Sequence, residues 1–149
     1  MKTIVLGVGN PILTDDGVGI KIAQKLKERK PELEVVETSE VGISLLDLVA
    51  GYDKLILIDS IKTEQGELGE LYKLGLEDLP STMWFSSSHG IDITAAFKLG
   101  QRLGYIMPRY ISIYAVAIQD NKTFAEECTQ EVEERIPFIT KQIIEEENL

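Results

Sequence analysis

Two short runs in this chain are apolar on both faces, "TIVLGV" (Thr3 to Val8) and "KLILIDS" (Lys54 to Ser60), and "RYISIYAVAI" (Arg109 to Ile118) makes a third, last strand. They are rich in β-branched residues and too short for buried helices, so they read as strands. A strand apolar on both faces needs cover on both faces, the condition of a parallel sheet flanked by helices. The intervening sequence supplies that cover. From Asp16 to about Lys30 the spacing is helical, with Gly19, Ile22, Ala23 and Leu26 on one face and Pro31 as the stop. "LEVVET" (Leu33 to Thr38) reads as a second strand, and "ISLLDLVAG" (Ile43 to Gly51) as a helix closed by its glycine. "GELGELYKL" (Gly66 to Leu74) alternates Leu68, Tyr72 and Leu74 with polar residues, which predicts an antiparallel edge strand.

The rest follows the same rhythm. "SSSHGIDITAAFKLGQRLG" reads as a loop entering a helix, with Ser88 as cap and Gly104 as stop. Thr123 and Glu126 have the spacing of a capping box. Beyond them Cys128, Val132, Ile136, Ile139 and Ile143 form the apolar stripe of a last helix, which Pro137 is expected to kink. The tail "EEENL" is expected to fray. Tyr105, Tyr110 and Tyr114 read as packing residues. The alternation predicts one α/β domain over residues 1–149. It has three layers, α/β/α, and a mostly parallel sheet of about five strands with one antiparallel edge.

Charge narrows the function. The 149 residues carry 15 basic and 25 acidic side chains, a net charge of −10, which argues against nucleic-acid and anionic-membrane partners. The opening apolar run is about six residues, shorter than the roughly 7–15 of a signal peptide's core. No segment approaches the roughly 20 apolar residues of a membrane span. The single cysteine, Cys128, excludes an intrachain disulfide and a cysteine-cluster zinc site, and fits a reducing, cytoplasmic setting.

The loop after the first strand, "GVGNPILTDDGVG" (residues 7 to 19), looks at first like a phosphate cradle. Gly7 and Gly9 match a dinucleotide fingerprint, but Ile12 stands where the third glycine belongs. Asp15 and Asp16 also put negative charge where a pyrophosphate would sit. No Gly-Lys-Ser/Thr follows, so a Walker-type loop is excluded. The plainest role for the aspartates is capping and dipole compensation at the helix start. Neighbours on a helical turn diverge by about 100°. Asp15 or Thr14 therefore serves the cap while Asp16 faces the cleft.

Two further residues point to the same end of the sheet. Asp59 ends an otherwise apolar strand, and ligands in open α/β sheets bind beyond the carboxyl ends of strands where the strand order reverses. In a flavodoxin-like order the first and third strands are neighbours at that point, so Asp16 and Asp59 converge. His89, the single histidine, lies in a polar loop expected at the same end. Taken singly, a turn aspartate and a solvated histidine are ordinary features. Together, two carboxylates and an imidazole make an open site for a divalent transition metal.

At these residues the chain resembles the hydrogenase maturation endopeptidases. Their first block runs Gly-x-Gly-Asn, four residues, then Asp-Asp/Glu-Gly-x-Gly, and "LIDSI" with Asp59 and "SSHGI" with His89 are similar to the other two. The resemblance implies removal of a short C-terminal peptide from the large-subunit precursor of a nickel–iron hydrogenase. It implies that Asp16, Asp59 and His89 recognise nickel that the precursor already carries, another divalent metal substituting in vitro. Such proteins are often catalogued with aspartic-type peptidases. Gly7, Gly9 and Gly17 are then expected to let backbone approach the peptide, and Asn10 to orient the loop or the substrate. Asp15 completes the expected substrate-binding set. A monomer acting on a transient partner is expected.

Three competing readings remain open from the residues themselves. Asp16 and Asp59 make a metal-free pair sharing a proton if His89 has no part. A Ser-His-Asp hydrolase would draw on Ser86, Ser87 or Ser88, but no Gly-x-Ser-x-Gly elbow is present. A nickel- or hydrogenase-binding accessory protein with a flavodoxin-like fold would keep the acidic cleft without catalysis. Trp84 and Phe85, beside His89, are either a grip for the partner or loop packing.

Overall fold

The computed structural model describes residues 1–39, 44–62, 66–76 and 93–149. Strands β1 (Thr3–Val8), β2 (Glu34–Thr38), β3 (Lys54–Lys62), β4 (Leu71–Leu74) and β5 (Tyr110–Ile118) form one sheet in the order β2-β1-β3-β5-β4. The first four in that order run parallel, and β4 joins β5 antiparallel, as the alternation in its sequence predicted. Helices α1 (Val18–Arg29), α2 (Ser44–Val49), α3 (Ile93–Arg102) and α4 (Gln130–Glu146) complete the three layers.

Strand alternation divides the core in two. Val5, Ile56, Ile58, Tyr114 and Val116 face α1 and α4. Ile4, Leu6, Leu55, Leu57, Ile113 and Ala115 face α2 and α3. Each predicted face is where its spacing put it: Ile22, Ala23 and Leu26 of α1, and Cys128, Val132, Ile136, Ile139 and Ile143 toward the chain end, are buried in the first cluster. Gly104 ends the region after α3 with a φ of +85°, a conformation that suits a residue without Cβ.

Several expectations are corrected. β3 does not stop at Asp59 or Ser60; it pairs with β5 as far as Lys62↔Ile118. The capping box at Thr123 and Glu126 is not used. Asp120 Oδ1 accepts the backbone N–H groups of Lys122 and Thr123 instead, making a turn, and α4 starts later, with Thr129 as its first boundary residue. Pro137 lies inside α4, which continues to Glu146, with buried residues on both sides of the proline. Tyr110 is exposed rather than packed, while Tyr114 is fully buried. Among the described residues no helix is long and apolar enough to cross a membrane.

Nor does the tail fray. Glu147 is buried at the amino end of the sheet, where it takes Lys54 Nζ at 2.9 Å, Ser112 Oγ at 3.0 Å and Tyr114 OH at 3.0 Å. Burial alone would raise its pKa, but these partners outweigh burial and hold it below the ordinary glutamate value. Burial, reinforced by Glu147, pushes the Tyr114 hydroxyl up in turn. Leu149 packs against the α1–α4 cluster. The last residues are therefore docked by a paired charge and an apolar contact.

α1 sits on the sheet through an absent side chain. A Cβ at Gly19 would run into the carbonyl oxygen of Ile58 and lie 2.7 Å from that of Val8. The helix backbone thus rests directly over the β1–β3 seam. Gly19→Ala is expected to lose about 1–3 kcal/mol to overpacking, more than the roughly 1 kcal/mol alanine returns in helix propensity. Urea unfolding measures the difference; a variant at least as stable as the parent would show that the seam has slack. For Glu147, a lowered carboxylate pKa means stability that is fully present above the ordinary value of 4.5 and drains away as pH falls through the depressed one. Glu147→Gln should lose stability at neutral pH and flatten that acid limb in pH-dependent melts.

Candidate functional site

The unequal lengths of β1 and β3 create the site. Pairing between them ends at Gly7↔Ile58, while β3 continues beside β5. Asp59 therefore stands level with the last residue of β1 and Ser60 just beyond it, where the chain order splits toward β2 on one side and β3 on the other. Ligands collect at such a switch point. The loop that crosses this gap is residues 9–13, followed by a 3₁₀ turn at Thr14–Gly17 that feeds α1.

Asp16 stands on that turn and is 4% exposed; Asp59 is fully buried. Asp16 Oδ2 accepts the backbone N–H of Asn10 at 2.9 Å. Its Oδ1 accepts the Ser60 hydroxyl at 3.4 Å, and Asp59 Oδ1 accepts the Ser60 backbone N–H at 2.7 Å. Ser60 thus ties the two carboxylates together. The alternation of β3 puts Ser60 on the α1 side and Asp59 on the side that α3 covers. Ser60 went unnoticed in the sequence because a serine after an aspartate carries no signal until the strand is known to overshoot.

Gly9 makes the crossing possible. Its φ is +155°, and a Cβ there would collide with the carbonyl oxygen of Asp16. Its N–H donates to Thr38 O at 3.0 Å, anchoring the loop to the end of β2. Asn10 is a loop orienter: its Oδ1 accepts the Ile12 N–H at 3.2 Å, and its backbone N–H holds Asp16. At Gly7 and Gly17 the close approach expected of a bound peptide is made by the protein's own chain. Ala23 Cβ lies 2.6 Å from the Cβ position of Gly7, and Pro11 Cα 3.0 Å from that of Gly17.

Asp15 turns the other way. It is fully buried, and its carboxylate accepts the Thr129 backbone N–H at 2.7 Å and the Thr129 hydroxyl at 2.9 Å. Neither aspartate caps its own helix; Asp15 ties the loop to the start of α4, more than a hundred residues away. Its oxygens are engaged there instead of facing the gap. Burial raises the Asp15 pKa, the Thr129 bonds oppose that, and the charge of Asp120 adds to it. Further bonds run alongside: Thr14 N–H to Ala125 O at 3.1 Å, Asp15 N–H to Asp120 O at 3.1 Å, and the Thr14 hydroxyl to Thr123 O. Thr129 was also missed, since no sequence pattern links it to Asp15. Neighbouring Cys128 points its thiol at Thr14 O, and burial lifts its pKa to about 12, so it is no thiolate nucleophile at neutral pH.

His89 lies outside the described residues, as do Ser86, Ser87, Ser88, Trp84 and Phe85. Among the described residues no group of three or more His, Cys, Asp or Glu side chains is arranged to hold a metal ion. What is described is a carboxylate pair. Carboxylate oxygens are ordinary donors to divalent cations, so the pair's chemistry fits one.

Fold and site define a class: a doubly wound α/β domain with paired acids at its topological switch point. The family model for hydrogenase maturation protease matches residues 20–146. The hydrogenase 2 maturation protease of Escherichia coli K12 is 34% identical over 84 residues, 54% of this chain and 51% of that protein. A putative hydrogenase maturation protease of Methanocaldococcus jannaschii is 26% identical over 100 residues, 64% of each. The chain thus spans about half to two-thirds of the length of these curated relatives. Among solved structures, the hydrogenase maturating endopeptidase HybD of E. coli superposes with a TM-score of 0.77 at 22% identity, covering 99% of this chain and 93% of that one. The [NiFe] hydrogenase maturation protease HybD of Thermococcus kodakarensis gives 0.78 at 22%, covering 97% and 98%. These likenesses show a shared fold. The chain belongs to the hydrogenase maturation protease family.

Removing the Asp15 carboxylate strips the acceptor from a part-buried backbone N–H. Asp15→Ala is expected to cost about 1–3 kcal/mol in chemical denaturation. Thr129→Val keeps the backbone bond and should cost less, about 1 kcal/mol. Equal stability of Asp15→Ala and the parent would mean that the loop is held by other contacts.

Proposed function

We propose that this protein is an endopeptidase that removes the C-terminal extension of a nickel-loaded nickel–iron hydrogenase large-subunit precursor. It would act in the cytoplasm, as a monomer, on a transient partner. In this reading Asp16 and Asp59, with His89 from the family resemblance, recognise the nickel that the precursor presents. The ion, part of the substrate, polarises the scissile carbonyl or a water bound to it. An empty precursor offers nothing for the acids to engage, so insertion of the metal is checked before the chain is cut. Asp15 and Asn10 enter as positioning residues that hold the loop bearing Asp16.

Family membership supports the reaction class, and one observation supports the residue assignment. Ser60 links the Asp16 and Asp59 carboxylates at the carboxyl end of the sheet, its hydroxyl donating to Asp16 and its backbone N–H to Asp59. Carboxyl oxygens there suit a cation better than a phosphate, which also explains why a glycine-rich loop of this shape carries acids.

The test is mass spectrometry of a nickel-loaded large-subunit precursor before and after incubation with the protein. Loss of a C-terminal peptide is expected, and only from the nickel-loaded form. Binding with no change of mass would overturn the reading in favour of an accessory protein. Asp16→Asn and Asp59→Asn should each slow cleavage by about 10²–10³-fold. The double variant should be little worse than either single one, since both acids serve one ion. Ser60→Ala, which removes only the hydroxyl link, should cost about 10–100-fold.

A further inference from the structure

The loop that carries Asp16 and the segment after β5 that pairs with it each expose one large apolar side chain. Ile12 is 48% exposed and Phe124 is 80% exposed. They are distant in sequence, but backbone pairing brings them together. Leu13 and Ala125 form a parallel bridge, Ala125 N–H donates to Ile12 O at 3.0 Å, and Thr14 N–H donates to Ala125 O at 3.1 Å. Ile12 and Phe124 each stand one residue before a bridge partner. In parallel pairing, matched positions point to the same side, and here the side is outward, since Leu13 and Ala125 are the partly covered pair.

This ledge is fixed. The Thr14 hydroxyl, the Asp15 backbone and the Asp15 carboxylate all bond to the segment 120–129. Ile12 is also two hydrogen bonds from the acid: its N–H donates to Asn10 Oδ1, and Asn10 N–H donates to Asp16 Oδ2. An exposed aromatic on a pinned loop loses little freedom when it binds, which is the profile of an interface anchor.

We propose that Ile12 and Phe124 form a docking ledge for an apolar stretch of the polypeptide substrate beside the point of cleavage. The proposal rests on the peptidase reading above. The occupant follows from continuity: Ile12 is on the loop that bears Asp16 and is linked to it through Asn10, Phe124 is on the segment paired with that loop, and both are large apolar side chains left exposed in a chain of net charge −10. A small ligand would need a pocket at this spot, whereas a ledge serves an extended chain.

The experiment measures binding and cleavage separately, using the nickel-loaded large-subunit precursor as the probe. Ile12→Ser and Phe124→Ser are expected to raise both Kd and KM about tenfold, with kcat and melting temperature close to the parent's. Phe124→Leu, which keeps an apolar side chain, should recover most of the loss. Unchanged Kd and KM in both serine variants, with cleavage intact, would overturn the ledge and leave the peptidase reading standing. A parent that binds the precursor without cutting it would overturn the peptidase reading, and the same Kd comparison would then decide the ledge. Lowered kcat with unchanged KM would show that the pair steadies Asp16 instead of gripping substrate, and would also count against the proposal.

Discussion

Everything at the carboxyl end of this sheet depends on how closely α1 sits on the β1–β3 seam. At Gly19 the helix backbone fills the place of a side chain, held against the carbonyls of Val8 and Ile58. That contact fixes the height and direction of the helix start. The turn before the helix then reaches across the end of β1, and Asp16 arrives within range of Ser60 on β3. A helix seated farther out by the size of a methyl group would carry its first turn with it. The glycines of the loop, suggestive of phosphate in the sequence, serve this close packing.

The adjacent aspartates divide their work by direction. Asp16 faces inward to the gap beside Asp59, and Asp15 faces the start of α4, where its carboxylate takes two hydrogen bonds from Thr129. The helix dipole there favours an anion from any part of the chain, so a distant loop supplies it. Asp15 converts that attraction into a fixed position for its neighbour. Both acids are buried, and the hydrogen bonds from Thr129 oppose the burial that raises the Asp15 pKa. The opposite end of the sheet is closed by a separate device, Glu147 with Lys54, Ser112 and Tyr114. The molecule is thus secured by hydrogen-bonded carboxylates at both ends of the sheet.

Much of this was legible in the residues. Apolar runs announced β1, β3 and β5, helical spacing announced α1 and α4, and alternation announced the antiparallel edge of β4. These signals are local, so a single pass along the chain finds them. Asp16 and Asp59 were also singled out, because one follows the first strand, the other ends the third, and both fall at the point where the strand order reverses. Where the reading missed, the competing interaction came from elsewhere in the chain. The capping box at Thr123 lost to the Asp120 turn, the supposed end of β3 was extended by its pairing with β5, and the loose tail was docked by Lys54.

The sequence by itself determined the layers, the strands and the identity of the acids, since periodicity and composition act over a few residues and survive any arrangement of the rest. Only the tertiary structure decided that Ser60 joins Asp16 to Asp59, that Asp15 serves α4, and that Ile12 and Phe124 share a face. Those outcomes depend on strand order, register and the depth of helix packing. Each is a difference between contacts made by segments dozens of residues apart, and no local pattern encodes that difference.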